Sequence, residues 1–215
     1  MMHTEDSQMS RKEREEEFRR NLVLDAAEEL FSQKGFDGAT VADIAQASEL
    51  AKGSVYQLFQ SKEEIIAGII RRKMDRMRSR LDDILSKPGQ PMEKIRQVIT
   101  TKLDIVWESR EFARIFFHEL RGFHWCIESP LMQIDHEEIV DLFKRVENVI
   151  KEAQRIGEIR SDISSATLMA AMDGFSNGII FSWLMNPEEV DVQKAATEVQ
   201  ELFLNGAKAD ERRPG

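Results

Sequence analysis

The sequence predicts an all-α protein of about nine helices. Three observations carry that prediction. Apolar residues recur at three- and four-residue spacing along most of the chain, and no run alternates convincingly with period two. Five prolines and eleven glycines among 215 residues leave room for long uninterrupted helices. Serine and threonine stand ahead of acidic residues where several apolar runs begin, as helix starts require.

Residues 1–10 lack apolar periodicity and read as a tail. From about residue 11 to 34, Phe18, Leu22, Ala26 and Leu30, flanked by Val23, Ala27 and Phe31, predict one wide apolar stripe on a long helix. The stretch "KGFDGAT" ends it, because Gly35 readily takes the left-handed conformation of a helix terminus. Thr40, with Asp43 three residues on, is a good N-cap for a short helix over 41–48 with Val41, Ile44 and Ala45 inward. A turn at Glu49–Leu50 leads into a second short helix over 51–58. Ser61 and Glu64 form a capping box opening a long helix towards Leu85, and "KPGQP" at 87–91 is a break. Further helices are predicted over 92–108, 110–123, 131–156, 163–186 and 189–207.

Composition narrows the function classes. With 41% hydrophobic and 32% charged residues the chain reads as globular. Its one cysteine, Cys126, excludes an internal disulfide and fits a reducing cytoplasm. Met1–Arg20 is too polar for a signal peptide, and the run 163–185 carries Asp173 and Asn177, so no membrane span is expected. Net charge is −9, unevenly shared: residues 1–80 hold 14 Lys/Arg against 15 Asp/Glu, residues 81–215 hold 16 against 24. A near-neutral first third and an acidic remainder suggest two functional regions. The six cations and one acid of "RRKMDRMRSR" at 71–80 read as a solvated helix face that adds positive potential rather than as DNA contacts. His118, Glu119, His124 and Cys126 form neither an H-E-x-x-H nor a C-x-x-C pattern. No metal, cofactor or catalytic set is expected.

Two short helices joined by a tight turn and preceded by a packing helix describe a helix-turn-helix. Ala45 is small where the helices would cross, and Leu50 and Val55 are apolar where the second must lean on the first. The segments "AAEELFSQKGFDGATVADIAQAS" and "AKGSVYQLFQSKEEI" closely resemble the DNA-binding domain of the tetracycline-repressor-like (TetR) family over residues 14–64. The rest of the chain resembles that family in architecture alone. The resemblance implies a helix-turn-helix domain over 11–60, a ligand-binding and dimerisation domain over 61–208, and a tail over 209–215.

It also implies roles by position. Thr40 and Tyr56 look like contacts to the DNA backbone, and Lys62 like another at the start of the following helix, where free N–H groups favour a phosphate. Lys52, Ser54 and Gln57 are candidates for base edges, since lysine suits guanine and glutamine adenine, with Gly53 letting the backbone approach closely. Three positions depart from the family pattern. Glu49 replaces the usual turn glycine, Ser48 a common alanine, and Ala51 the usual Ser or Thr cap. A side chain at positive φ costs roughly 1–2 kcal/mol and a lost cap about 1 kcal/mol. Either the turn is reshaped or the packing of the first helix absorbs the strain.

The second region would hold an effector chamber and a dimer interface. Chamber candidates are Trp107, Phe112, Ile115, Phe116, Glu119, Phe123, Phe143, Met172, Phe175 and Ile179, a set suited to an apolar or aromatic small molecule. Any one of these apolar residues is equally at home in an ordinary bundle core. Ala166, Ala170, Gly174, Gly178 and Ser182 repeat every four residues, a stripe without bulk along which helices approach closely. With Phe181 on the same helix, and Val199, Leu202 and Phe203 on the last, they would build a two-fold four-helix interface. The expected function is a homodimeric regulator, reading as a repressor, released from a palindromic double-stranded operator by a small-molecule effector. Competing readings are a protein-interaction module without DNA and an enzyme on a helical bundle. The enzyme would need a clustered acid, base or metal set that the sequence does not display.

Overall fold

Ser10 opens the first helix through a reciprocal cap. Its hydroxyl accepts the Glu13 N–H at 3.2 Å while the Glu13 carboxylate accepts the Ser10 N–H at 2.7 Å. This is one of eight helices among the described residues of the computed structural model, which describes residues 10–111, 113, 136–186 and 188–207. The helix expected over 110–123 is represented by residues 110, 111 and 113. Its remainder, the start of the helix expected from 131, and the tails at 1–9 and 208–215 lie outside the described residues. Described residues through Arg71 form one compact unit and those from Arg72 onward a second.

In the first unit, α1 (Arg11–Gly38) breaks where glycine predicts, with Gly35 at φ 74°. The buried face of α1 is Val23, Leu24, Ala27 and Phe31, so the expected wide stripe is buried along its Val23, Ala27 and Phe31 side and not along the row from Phe18. Phe18 is 63% exposed and Leu22, Ala26 and Leu30 are half-buried. The buried stripe is therefore narrower than expected, with the Phe18 row forming its partly exposed edge. Helix α2 (Val41–Ala47) and α3 (Lys52–Leu58) follow. Ile44, Ala45, Val55 and Phe59 are buried with the α1 face, each large aliphatic group contributing roughly 1.5–3 kcal/mol.

Helix α4 (Lys62–Ser86) runs continuously from the first unit into the second. Its Ile65, Ile66, Ile69 and Ile70 complete the first core. A Cβ at Gly68 would lie 3.0 Å from Leu24 Cδ2 and 3.2 Å from Phe59 Cε1, so a glycine is what lets α4 approach α1. The expected cap at Ser61 forms in half. Ser61 Oγ accepts the Glu64 N–H at 3.2 Å, but the Glu64 carboxylate takes the Gln60 N–H at 2.6 Å instead of that of Ser61.

The second unit is a bundle of α5 (Pro91–Glu108), α6 (His136–Arg155), α7 (Ser165–Met185) and α8 (Val192–Ala207) with the later part of α4. Pro91 stands in the first turn of α5, where its missing N–H costs nothing. Ile95, Ile99, Leu103, Ile150, Met172 and Trp183 centre the core. Gly157 at φ 80° ends α6, and the Gln154 amide donates to the carbonyls of Arg160 and Ile163 at 2.9 and 2.8 Å, fixing the connection to α7.

Candidate functional site

The helix-turn-helix is built on three local devices. Thr40 caps α2, its hydroxyl accepting the Asp43 N–H at 3.1 Å and donating to the Asp43 carboxylate at 2.7 Å. Those bonds, the hydroxyl first and the Thr40 N–H second, hold the Asp43 carboxyl below the ordinary carboxylate range. The turn is kept rather than reshaped. Glu49 adopts φ 57°, its N–H bonds the Gln46 carbonyl at 3.2 Å, and the Leu50 N–H bonds the Ala45 carbonyl at 3.0 Å. That pair of bonds is the glycine-type helix ending, carried here by a glutamate at a cost of roughly 1–2 kcal/mol. Ser48 is buried, and its hydroxyl donates back to the Ile44 carbonyl at 2.8 Å, which is how a polar residue is accepted there. Ala51 starts α3 with no side-chain cap, as its chemistry dictates.

These devices give α3 two distinct faces. Val55 and Leu58 are buried against the other helices, whereas Lys52, Gly53 and Gln57 are exposed and Tyr56 is 46% exposed. Ser54 is half-buried. Lys52 Nζ lies 5.9 Å from the centre of the Tyr56 ring, so the cation and the phenol share one outward surface. Gly53 is costly inside a helix, yet a Cβ there would meet nothing within 4 Å, so no internal contact requires the glycine. Thr40 is exposed as well, at the start of α2.

Lys62 points elsewhere. Its ammonium donates to the carbonyls of Phe36 at 2.6 Å and Ala39 at 3.1 Å and stands 4.3 Å from the Phe36 ring centre. Arg20, which the sequence reading did not single out, makes the matching arrangement on α3. It donates to the Leu58 carbonyl at 2.7 Å with its guanidinium 4.3 Å from the Phe59 ring centre. No local sequence signal marks Arg20, because its partner is 38 residues away.

Three cations of 71–80 reach the end of α5 within the second unit. Arg76 and Arg80 both pair with Glu108 at 3.0 Å, at the end of α5, and Lys73 donates to Ser109 Oγ at 2.9 Å. These three form a seam between α4 and the end of α5, whereas Arg78 pairs with Asp75 along α4 itself.

Of the chamber candidates, Phe112, Ile115, Phe116, Glu119 and Phe123 lie outside the described residues, as do His118, His124 and Cys126. Trp107 stands edge-on to Trp183, ring centres 6.0 Å apart, and Met172 and Ile179 are buried beside them in the same core. Phe143 is 43% exposed on α6, away from that core. Phe175 is 39% exposed and lines an open groove with Gly174, Gly178, Ile179, Val190 and Val199, so it belongs to the small-residue face and not to an interior wall. Asp173 and Asn177, which interrupt the apolar run, are matched by a Lys102–Asp173 ion pair and a 2.8 Å bond from the Asn177 amide to Asp173.

Along the predicted interface Ala170, Gly174 and Gly178 are exposed, and Cβ atoms at the two glycines would meet nothing within 4 Å. Phe181 and Leu202 are 61% and 62% exposed. Val199 is half-buried. Phe203 differs from expectation. It is 4% exposed and packs edge-on to Phe175 within the chain, supporting the face from beneath.

Comparison with known proteins adds the following. The family model described as bacterial regulatory proteins, tetR family, matches residues 23–69. That of the C-terminal region of MAATS-type transcriptional repressors matches residues 90–208. The fatty acid metabolism regulator protein of Bacillus subtilis (strain 168) is 23% identical over 184 residues, covering 86% of this chain and 93% of its own. The structure of FadR from Bacillus subtilis in complex with stearoyl-CoA gives a TM-score of 0.68 at 23% identity, covering 86% of this chain and 98% of that one. AibR in complex with isovaleryl coenzyme A and operator DNA gives 0.62 at 18% identity, covering 86% and 97%. At these identities the two structures show a shared fold.

Proposed function

The chain belongs to the tetR family of bacterial regulatory proteins, and from that membership we propose which residues perform its function and which effector it senses. It is a ligand-responsive, DNA-binding transcriptional repressor that works as a homodimer. The observation that carries the residue assignment is the two-faced α3, which exposes Lys52, Tyr56 and Gln57 over a buried Val55 and Leu58. In this reading α3 enters the major groove. Lys52, Ser54 and Gln57 meet base edges, Tyr56 and Thr40 meet phosphates, and Gly53 removes the side chain that would hold the backbone off. Thr40 must redirect its hydroxyl from the Asp43 carboxylate to do so.

The two copies join through Ala170, Gly174, Gly178 and Phe181 of α7 with Val199 and Leu202 of α8, while Phe203 braces Phe175 below. Exposed glycines and large apolar groups side by side suit a close, self-complementary helix face. The effector is an acyl thioester of coenzyme A, its acyl chain held among Trp107, Met172 and Ile179. Support comes from a half-buried Trp107 packed against the apolar core that holds Met172 and Ile179, and from the ligands that FadR and AibR are described with. Since α4 is continuous from the first unit into the second, an effector acts by binding two settings of α4 with different affinity. No helix among the described residues is long and apolar enough to cross a membrane.

The test is fluorescence anisotropy on an operator selected by the chain itself, titrated with stearoyl-CoA, isovaleryl-CoA and free coenzyme A. Release by an acyl form and not by free coenzyme A is expected. Retention of the operator against every thioester overturns the effector assignment and leaves the DNA reading standing.

A further inference from the structure

Lys62 and Arg20 share one geometry at the two ends of the helix-turn-helix. Lys62, the first residue of α4, donates to the carbonyls of Phe36 and Ala39, the latter directly ahead of the Thr40 cap that begins α2. Arg20 of α1 bonds the carbonyl of Leu58, the last residue of α3. Each cation also covers the face of a buried phenylalanine, Phe36 for Lys62 and Phe59 for Arg20, both at 4.3 Å from the ring centre. A helix end leaves carbonyls without internal partners and carries partial negative charge, so a guanidinium at Leu58 answers both. At the other end, losing Lys62 would remove a charged donor shared by two carbonyls, those of the buried Phe36 and Ala39. The paired helices α2 and α3 are thereby held at their entry and their exit by cations from the flanking helices.

We propose that Lys62 and Arg20 are positioning residues that set the orientation of α3 from inside the domain, and that Lys62 acts on operator affinity through the backbone it holds and not as a phosphate contact. The inference rests on the reading that α3 enters a DNA groove. Two of the three ammonium donors of Lys62 are already committed inward, and the ammonium lies against the face of the Phe36 ring.

Salt dependence separates the two roles, because each phosphate contact removed lowers the magnitude of the log–log salt slope by about one. The experiment measures affinity of the full-length dimer for a duplex selected by the unaltered chain, from low to moderate salt, with folding followed by thermal melting. The variants are Lys62→Met, Lys62→Gln and Arg20→Met. The expected result is a loss of about tenfold or more for each Met variant, the low end of what a charged hydrogen bond contributes, with the salt slope unchanged. Lys62→Gln, which keeps an amide donor for the carbonyls, recovers part of the loss. A slope reduced by about one in both Lys62 variants makes Lys62 a phosphate contact and overturns the proposal. Affinity equal to the unaltered chain, with only a lowered melting point, overturns it as well. Should the unaltered chain show no salt-dependent duplex binding, the parent reading fails, a result distinct from either of these.

Discussion

The two units of this chain expose opposite kinds of residue, and the contrast indicates what each of them meets. In the helix-turn-helix unit, the apolar groups of α2 and α3 are buried, and lysine, glutamine and a phenol stand outward in one short row. In the bundle, α7 and α8 hold Phe181, Met185 and Leu202 in the open, beside glycines that no internal contact requires. A glycine in a helix interior costs roughly 0.5–1 kcal/mol against alanine, and Gly53, Gly174 and Gly178 all incur that cost facing open space. What differs is the company they keep. Gly53 sits among polar donors that fit a polyanion, and Gly174 and Gly178 among apolar side chains that fit another copy of the same face.

The contrast breaks first at the apolar face. Phe181→Glu combined with Leu202→Glu places like charges across the two-fold and is expected to weaken the dimer by about 3 kcal/mol or more, a factor above ~100. Sedimentation equilibrium reads this directly, and a double variant that stays dimeric at micromolar concentration removes these residues from the interface. On the polar face, Tyr56→Phe keeps the ring and deletes one donor. A uniform loss of about 1 kcal/mol across operator sequences is expected by anisotropy, and a sequence-selective loss would move Tyr56 from the phosphates to the bases.

The turn between α2 and α3 offers a smaller effect of opposite sign. Glu49→Gly relieves the side-chain strain at φ 57° but enlarges the freedom of the unfolded chain. A net gain of about 1 kcal/mol is expected, raising the melting temperature by roughly 2–4 °C in calorimetry, and a fall would show that the glutamate makes a compensating contact. The smallest effect concerns pH. The Asp43 carboxyl is depressed in the folded chain by the Thr40 hydroxyl and N–H. Its contribution is therefore present above the unfolded carboxylate pKa and lost as pH falls through the folded value. Melting curves between neutral and acidic pH should show Asp43→Asn losing less stability than the unaltered chain on acidification. An identical loss in both would dismiss the cap as a contributor.

Sequence reading reached furthest where structure is decided within a few residues. The left-handed Gly35, the Thr40–Asp43 cap and the uncapped Ala51 all follow from local chemistry. Positions decided by distant partners were not legible in this way. The α1 stripe is buried on its Val23, Ala27 and Phe31 side and not along the Phe18 row, because how much of a wide apolar stripe is covered depends on the helices packed against it. Phe203 and Phe175 exchange their expected surroundings because their mutual ring contact depends on how α7 and α8 cross. Arg20 escaped notice since a polar side chain acquires its role only when α3 ends beneath it.

The most direct measurement is selection of duplexes from a random pool by the intact chain, run in parallel with Lys52→Ala. The account predicts enrichment of a two-fold-symmetric site with half-site centres about one helical turn or a little more apart, bound by two chains, with a preference at one base position per half-site relaxed in the variant. Selection that leaves the pool unenriched, or a Lys52→Ala preference identical at every position, would contradict the claim that α3 reads the bases.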